Sequence, residues 1–163
     1  MTSTEILAYL GTWSVIGCAV FGLFVVLVFK SGFVWTARDQ DGMLKKKMPL
    51  SGYLAMLTIP LGLTGLQLAA NYLGLPQHGV GVGFWSLWLL NFAHYLILFA
   101  YDTLVIDGLV LGVWRPGFLQ LPDEMGRESM KQHMLLSLPV GVVAGLVLTA
   151  INTSLSHFLL PPI

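Results

Sequence analysis

The sequence predicts an all-α fold, a four-helix transmembrane bundle with both termini outside the cell (N-out/C-out). Hydrophobic residues make up 56% of the 163 residues and charged residues only 10%, whereas a soluble domain has about 25% charged residues. Four apolar runs each exceed the roughly 20 residues that a helix needs to cross a bilayer. All eight lysines and arginines fall in only two of the connections between these runs.

The composition excludes several other classes of protein. A disordered chain would need low hydrophobicity and high net charge, but the net charge here is zero. A neutral chain offers no electrostatic basis for binding nucleic acid. A single cysteine cannot form a disulfide within the chain. We therefore predict one transmembrane domain over residues 1–163.

The predicted helices cover residues 6–29, 50–74, 84–114 and 134–160. No basic residue precedes the first apolar run, and the run is too long for a signal peptide, so we interpret it as a retained helix. Pro116 is predicted to end the third span. Asp123 is a candidate N-cap for a short amphipathic helix that leads into the fourth span.

The basic residues predict the orientation, because lysine and arginine concentrate in cytoplasmic loops. The loops 30–49 and 115–133 are therefore predicted to be cytoplasmic, and the membrane to be the plasma or inner membrane. Lys45, Lys46 and Lys47 would lie at the headgroups, where each lysine attracts anionic lipid by about 1 kcal/mol. Aromatic residues at the span ends indicate the interfaces, with one residue inside (Trp114) and five outside (Tyr9, Trp13, Tyr72, Trp85 and Trp88).

Small residues at a spacing of four predict close contacts between helices in lipid. The first and fourth spans each carry such a row: Ser14, Cys18 and Gly22, and Gly141, Gly145 and Thr149. The spacing does not distinguish contacts inside one bundle from contacts between subunits. A homo-oligomer or a larger membrane complex therefore stays open.

Polar side chains within the spans are the candidate functional residues, because they are costly in lipid and usually face the interior of a bundle. At about 100° per residue, one face of the third span holds Asn91, His94, Tyr95 and Asp102. Asp107 is predicted to lie on the opposite face of that helix.

The other spans supply polar residues at similar depth. A stripe on the second span contains Thr64, Gln67 and Asn71. We expect Gln67 to lie level with His94, and Asn71 level with Asn91. With Ser14 from the first span and Asn152 from the fourth, these residues predict a polar layer in the outer half of the membrane. Interhelical hydrogen bonds of about 0.6 kcal/mol each could simply fasten the bundle, or the layer could line a small binding cavity or proton path.

Asp102 is predicted within about 4 Å of the membrane midplane, and no lysine or arginine falls in the predicted apolar spans. Desolvation disfavours the charged form of a carboxyl group. We therefore expect Asp102 to be protonated at neutral pH or solvated by water in a cavity.

Known catalytic and cofactor motifs are missing. The sequence has no His-Glu-x-x-His, no Gly-x-Ser-x-Gly and no phosphate-binding Gly-x-x-x-x-Gly-Lys, so no cofactor and no metal is predicted. A b-type haem is the strongest cofactor alternative, with His78, His94 and His157 as candidate ligands. However, His157 lies about 15 Å from its helix midpoint and His94 about 8 Å, so their depths do not match.

Two segments resemble part of a family of small uncharacterised four-span bacterial integral membrane proteins. They are Tyr101-Asp102-Thr103-Leu104-Val105-Ile106-Asp107 and Trp114-Arg115-Pro116-Gly117-Phe118-Leu119-Gln120-Leu121-Pro122. The resemblance implies a four-span fold and one structural unit at the inner end of span three, containing Asp102, Asp107, Trp114, Pro116 and Pro122. It implies no activity.

Three functional hypotheses remain from the sequence. The leading one is a non-catalytic membrane protein, either an accessory subunit or a module that binds a lipophilic ligand. The second is a small proton-coupled transporter or channel that uses Asp102. The third is a membrane redox or lipid-modifying enzyme that uses His94 and Asp102.

Overall fold

The computed structural model describes residues 2–33, 37, 45, 47, 49–75, 83–119, 121 and 127–159, with side chains described outside 127–134. Within these residues the long elements are α1 (Ser3–Lys30), α2 (Leu50–Gly74), α3 (Phe84–Tyr101) and α4 (Arg127–Leu159). A π-helical segment, Asp102–Trp114, continues α3, and a short 3₁₀ turn, Gly117–Leu119, follows it. The described part of the chain is entirely helical or irregular.

Four helical stretches are long and apolar enough to cross a membrane: Ser3–Lys30, Leu50–Gly74, Phe84–Trp114 and Leu135–Leu159. This confirms the prediction of four apolar helices, with bounds that differ from the predicted ones by no more than three residues. On each of the four helices, large apolar side chains point away from the bundle. Leu61 and Phe158, for example, are 65% and 85% exposed. An apolar exterior of this extent suits a lipid environment better than water.

The ends of α1 follow from local chemistry. The Thr2 hydroxyl accepts a hydrogen bond from the backbone N–H of Glu5 at 3.3 Å, and the Glu5 carboxylate accepts one from the N–H of Thr2 at 2.6 Å. This capping box satisfies two free N–H groups, so the helix begins three residues before the apolar run. At the other end Gly32 adopts a positive φ of 72°, which glycine tolerates and which terminates helices.

The fourth helix differs from its prediction. We expected a short amphipathic helix before the fourth span, but α4 runs without interruption from Arg127 to Leu159. Asp123, the predicted N-cap, lies outside the described residues. Pro139 is accommodated inside α4, as Pro60 is inside α2; neighbouring helices and local adjustments commonly allow this in membrane helices.

The helices alternate in direction. Tyr9, near the start of α1, bonds to Asn71, near the end of α2. Asn91, near the start of α3, bonds to Thr153, near the end of α4. We call the end of the bundle where α1 and α3 begin the terminal end, and the opposite end the loop end.

Small residues set the close approach of the helices inside the bundle. A Cβ atom built on Gly17 of α1 would lie 2.9 Å from Leu98, and one on Gly22 would lie 2.6 Å from the Tyr101 hydroxyl. On α4, Gly141 and Gly145 lie directly against the rings of Phe99 and Tyr95. Both predicted rows therefore contact α3 within one chain.

The second half of span three is a π-helix, and this corrects the predicted position of Asp107. Hydrogen bonds from residue i to i+5 place residues five apart near one another. Asp102 and Asp107 are close enough to interact electrostatically, whereas α-helical spacing had predicted opposite faces. The segment ends at Arg115, whose φ of 47° is left-handed and whose N–H donates to the Val110 carbonyl at 2.8 Å.

Replacing Gly145 by alanine should destabilise the bundle by about 1–3 kcal/mol. The added methyl group would overlap the Tyr95 ring, which is held in place by its own hydrogen bond to the Gly141 carbonyl. The measurement is the unfolding of the purified protein in mixed micelles as the denaturing detergent is raised.

Gly65→Ala is the matched control, because nothing lies within 4 Å of a Cβ at that position of α2. Alanine favours a helix over glycine by up to about 1 kcal/mol, so this variant should be as stable as the wild type or more so. Equal unfolding of the two variants would contradict the packing described for α3 and α4.

Candidate functional site: a buried polar layer

A layer of buried polar side chains crosses the bundle towards its terminal end. Each is at most 7% exposed, and all four helices contribute. We call this set the polar layer: Tyr9 and Ser14 from α1, Gln67 and Asn71 from α2, Asn91 and His94 from α3, and Thr149, Asn152, Thr153 and Ser156 from α4.

Gln67 joins three helices through its amide group. Its Nε2 donates to the backbone carbonyl of Asn91 at 2.8 Å, and its Oε1 accepts from Nδ2 of Asn152. Because a carbonyl only accepts, the Gln67 nitrogen must face Asn91, and this also fixes the Asn152 amide as the donor. One side chain of α2 thus ties α3 to α4.

A second chain of hydrogen bonds runs nearer the terminal end. The Tyr9 hydroxyl donates to Oδ1 of Asn71 at 2.8 Å, and Nδ2 of Asn71 donates to the Ser156 hydroxyl at 2.8 Å. This chain joins α1, α2 and α4. Tyr9, predicted to mark the outer interface, is 1% exposed, so its side chain lies inside the bundle. Tyr72, Trp85 and Trp114 are exposed as expected.

His94 is held against α1. Its Nε2 lies 3.2 Å from the carbonyl oxygen of Trp13, so Nε2 must carry the proton in this contact. A Cβ on Gly17 would lie 3.3 Å from the same nitrogen, so the small residue makes room for the ring. Gln67 bonds to the backbone carbonyl of Asn91, about one helical turn along α3 from His94, the residue with which it was predicted to lie level.

Of the other predicted site residues, Asn91 and Tyr95 make hydrogen bonds between helices. Nδ2 of Asn91 donates to the Thr153 hydroxyl at 3.1 Å. The Tyr95 hydroxyl donates to the Gly141 carbonyl at 2.8 Å, which fastens α3 to α4 on the loop side of the layer. Thr64 is half-buried and takes no part in the interhelical hydrogen bonds described here.

Asp102 is half-buried, and the structure does not bring it together with the layer. Leu98 lies between His94 and Asp102 along α3, and it is fully buried in an apolar cluster with Phe21 and Leu63. The cluster separates the two groups of polar residues. That Asp102 and His94 belong to one functional site stays a prediction.

Four members of the polar layer were not predicted from the sequence. They are Tyr9, Thr153, Ser156 and Thr149, the last of which was predicted only as a small packing residue. A signal for the last three existed, because they continue the Gly141 and Gly145 row along the same face of α4 at spacings of three and four. The burial of Tyr9 had no comparable signal, since a tyrosine near a span end fits an interface equally well.

A groove reaches the layer from the surface. It lies between α2 and α4 at the terminal end, has a volume of about 300 Å³, and is lined by Leu68, Ala69, Tyr72, Ser156 and Leu159. The lining is predominantly apolar, and Ser156 is the point at which the groove meets the polar layer.

The metal and haem alternatives involve histidines that the structure places apart. In the part of the chain that the structure describes, no group of three His, Cys, Asp or Glu residues is arranged to hold a metal ion. His157 is exposed and its ring packs edge-on against Phe84, with centroids 6.0 Å apart, whereas His94 is buried against α1. His78 lies outside the described residues.

The three lysines predicted to contact anionic lipid are described only in part. Lys47 is exposed, and Lys45 is half-buried, with its backbone N–H donating to the Ala37 carbonyl at 3.0 Å. Lys46 lies outside the described residues.

Replacing Gln67 by leucine should destabilise the protein by about 1–3 kcal/mol, because the buried Asn152 amide would lose its acceptor. Unfolding in mixed micelles measures the loss. Thr58→Val is the control, because the Thr58 hydroxyl bonds to the Leu54 carbonyl of its own helix at 2.8 Å. If both variants unfold like the wild type, Gln67 does not bridge the helices.

No family model, no curated protein and no solved structure matches this chain. What the polar layer and the groove can do therefore follows from their own residues.

Proposed function

We propose that this chain is a small integral membrane protein of non-catalytic function that binds the apolar tail of a lipid or another lipophilic molecule. The observation that carries this proposal is the groove between α2 and α4, which is apolar along its walls and meets a buried hydroxyl at Ser156. Its volume of about 300 Å³ is at the lower end of the range for ligand sites. It suits one tail better than a whole lipid.

The polar layer supports the non-catalytic part of the proposal. Its amides and hydroxyls bond mainly to one another or to backbone carbonyls across the helices. Such bonds fasten a bundle and fix its helix register. A rigid bundle of this kind can present a preformed groove to lipid.

The orientation belongs to the proposal too. All eight basic residues are associated with the connections at the loop end, and basic loops stay in the cytoplasm. The loop end would then face the cytoplasm, where the exposed Lys47 and its neighbours attract anionic headgroups. The groove would open towards the outer leaflet of the cell membrane.

Replacing Ala69 by tryptophan should reduce lipid retention at least several-fold, because the indole would occupy much of the groove volume. The protein is purified in detergent, incubated with a photoreactive fatty acid, irradiated, and digested to count label on α2 and α4. Intact-complex mass spectrometry gives the bound lipid per chain.

Ala8→Trp is the matched control, since Ala8 is an exposed alanine of α1 that does not line the groove. It should retain lipid like the wild type. Labelling spread evenly over all exposed helix faces, with no difference between the two variants, would overturn the groove as a binding site.

A second candidate function, proton-coupled transport, is favoured by one observation at Asp102. The α-helix of span three changes to a π-helix at this residue, and π-helical distortions occur frequently at functional sites. The distortion also brings Asp107 within electrostatic range of Asp102.

If Asp102 carries protons, Asp102→Asn should abolish pH-driven transport in liposomes. The amide keeps the shape of the carboxylic acid but cannot release its proton. Glu5→Gln, in the capping box of α1, should leave transport unchanged. Proton flux that is the same with Asp102→Asn, with wild type and with empty liposomes would remove this candidate.

A further inference from the structure

Five buried polar atoms of the polar layer have no hydrogen-bond partner among the residues that the structure describes. They are Ser14 Oγ, Asn91 Oδ1, His94 Nδ1, Thr149 Oγ1 and Asn152 Oδ1. Each belongs to a residue that is at most 7% exposed. An unsatisfied buried polar group is destabilising, and such groups are uncommon unless a water or ion is bound.

These atoms belong to residues that converge on one part of the bundle. Asn91 and His94 are one turn apart on α3, as Thr149 and Asn152 are on α4. Asn91 and Asn152 both bond to Gln67. The α4 row that packs Gly145 against Tyr95 places Thr149 against the adjacent turn of α3.

Ser14 approaches the same region from α1. It follows Trp13, whose carbonyl bonds to His94, and it is 7% exposed. The unpartnered atoms thus come from α1, α3 and α4, and Gln67 of α2 bonds to residues of the last two helices.

Most of the unpartnered atoms are acceptors that need a hydrogen-bond donor as their partner. The amide of Asn152 donates to Gln67, so its free atom is an oxygen that can only accept. The ring of His94 is protonated on Nε2 by its contact with Trp13, so Nδ1 of the neutral imidazole accepts. Asn91 likewise donates through Nδ2 and is left with a free oxygen, while the two hydroxyls can donate or accept.

The charge and the size of an occupant are also constrained. The polar layer contains no carboxylate or other anionic side chain, and Asp102 lies beyond buried Leu98. A cation would therefore be buried without a counter-charge, which is costly. The interhelical bonds of Gln67, Asn91 and Asn152 would have to break for a large ligand to enter between the helices.

We propose that the polar layer is a binding site for a small neutral hydrogen-bond donor, namely one or more buried water molecules that donate to Asn91, His94 and Asn152. Water supplies two donors and can accept from the hydroxyls of Thr149 and Ser14, which matches the unpartnered set. It would enter from the groove through Ser156, one turn along α4 from Asn152. The inference does not depend on whether the groove binds lipid.

The test is solution NMR of the isotope-labelled full chain in detergent micelles. We expect magnetisation transfer from water to the side-chain protons of Thr149 and Asn152, with the sign that identifies a long-lived bound water. The ¹⁵N shift of Nδ1 in His94 should report an acceptor that is hydrogen-bonded. Leu98, which is 0% exposed, should receive no transfer and controls for general penetration of water.

A variant separates bound water from exchange with neighbouring hydroxyl protons. Thr149→Val keeps the shape of the side chain and removes the hydroxyl. Transfer from water to Asn152 should persist, because its oxygen still accepts from water. The transfer to Asn152 should disappear if it was relayed through Thr149.

Two results would overturn the proposal. The first is the absence of water transfer to Thr149 and Asn152 together with a His94 Nδ1 shift typical of an unbonded nitrogen. The second is sodium dependence: if sodium chloride shifts these signals and choline chloride at equal ionic strength does not, the occupant is a cation and not water.

Discussion

The amide of Gln67 is the contact on which the rest of the bundle depends. It lies between three helices, and both of its polar atoms are used. In an apolar medium each polar group must find its partner within the protein, so the rotation of α2 about its axis is fixed by this one residue. Asn71, one turn further along α2, then meets Tyr9 and Ser156. The same rotation therefore also places the second chain of hydrogen bonds.

The face of α4 that meets α3 changes its means of attachment along its length. Towards the loop end, Gly141 and Gly145 allow the rings of Phe99 and Tyr95 to lie against the backbone. Dispersion contacts and the hydrogen bond from Tyr95 to the Gly141 carbonyl hold this pair of helices together. Towards the terminal end, the same row continues as Thr149, Asn152, Thr153 and Ser156, which are buried and polar. Close approach at the glycines keeps this row inside the bundle, where Thr153 bonds to Asn91 of α3. Asn152 and Ser156 bond to Gln67 and Asn71 of α2.

The sequence was sufficient to predict the helices and most residues of the polar layer. It was not sufficient to predict which residues of neighbouring helices lie opposite one another. Apolar runs of bilayer length define helices whatever surrounds them, so the bounds of α2 and of span three could be predicted to the residue. The pairing of Gln67 with Asn91 could not be predicted, because a shift of α2 by one helical turn leaves the same residues facing inward. The prediction for Asp107 was wrong for another reason. An angle of about 100° per residue holds only for α-helical hydrogen bonds, and this segment is a π-helix. Nothing in the sequence marks where the π-helix begins.

The separation of Asp102 from the polar layer decides how the functional hypotheses rank. A proton path from the terminal end would have to pass Leu98, Phe21 and Leu63, which are buried in one apolar cluster. The side chains of Phe21, Leu63 and Leu98 offer water no polar partners, and a buried water needs two to four to be stable. If water fills the polar layer as proposed, it reaches the terminal end through Ser156 and the groove, whereas Asp102 lies near Asp107 in the π-helical segment. Two sites that do not share water can differ in function, and this favours a layer that holds the bundle together and supports the groove over a continuous path through the protein.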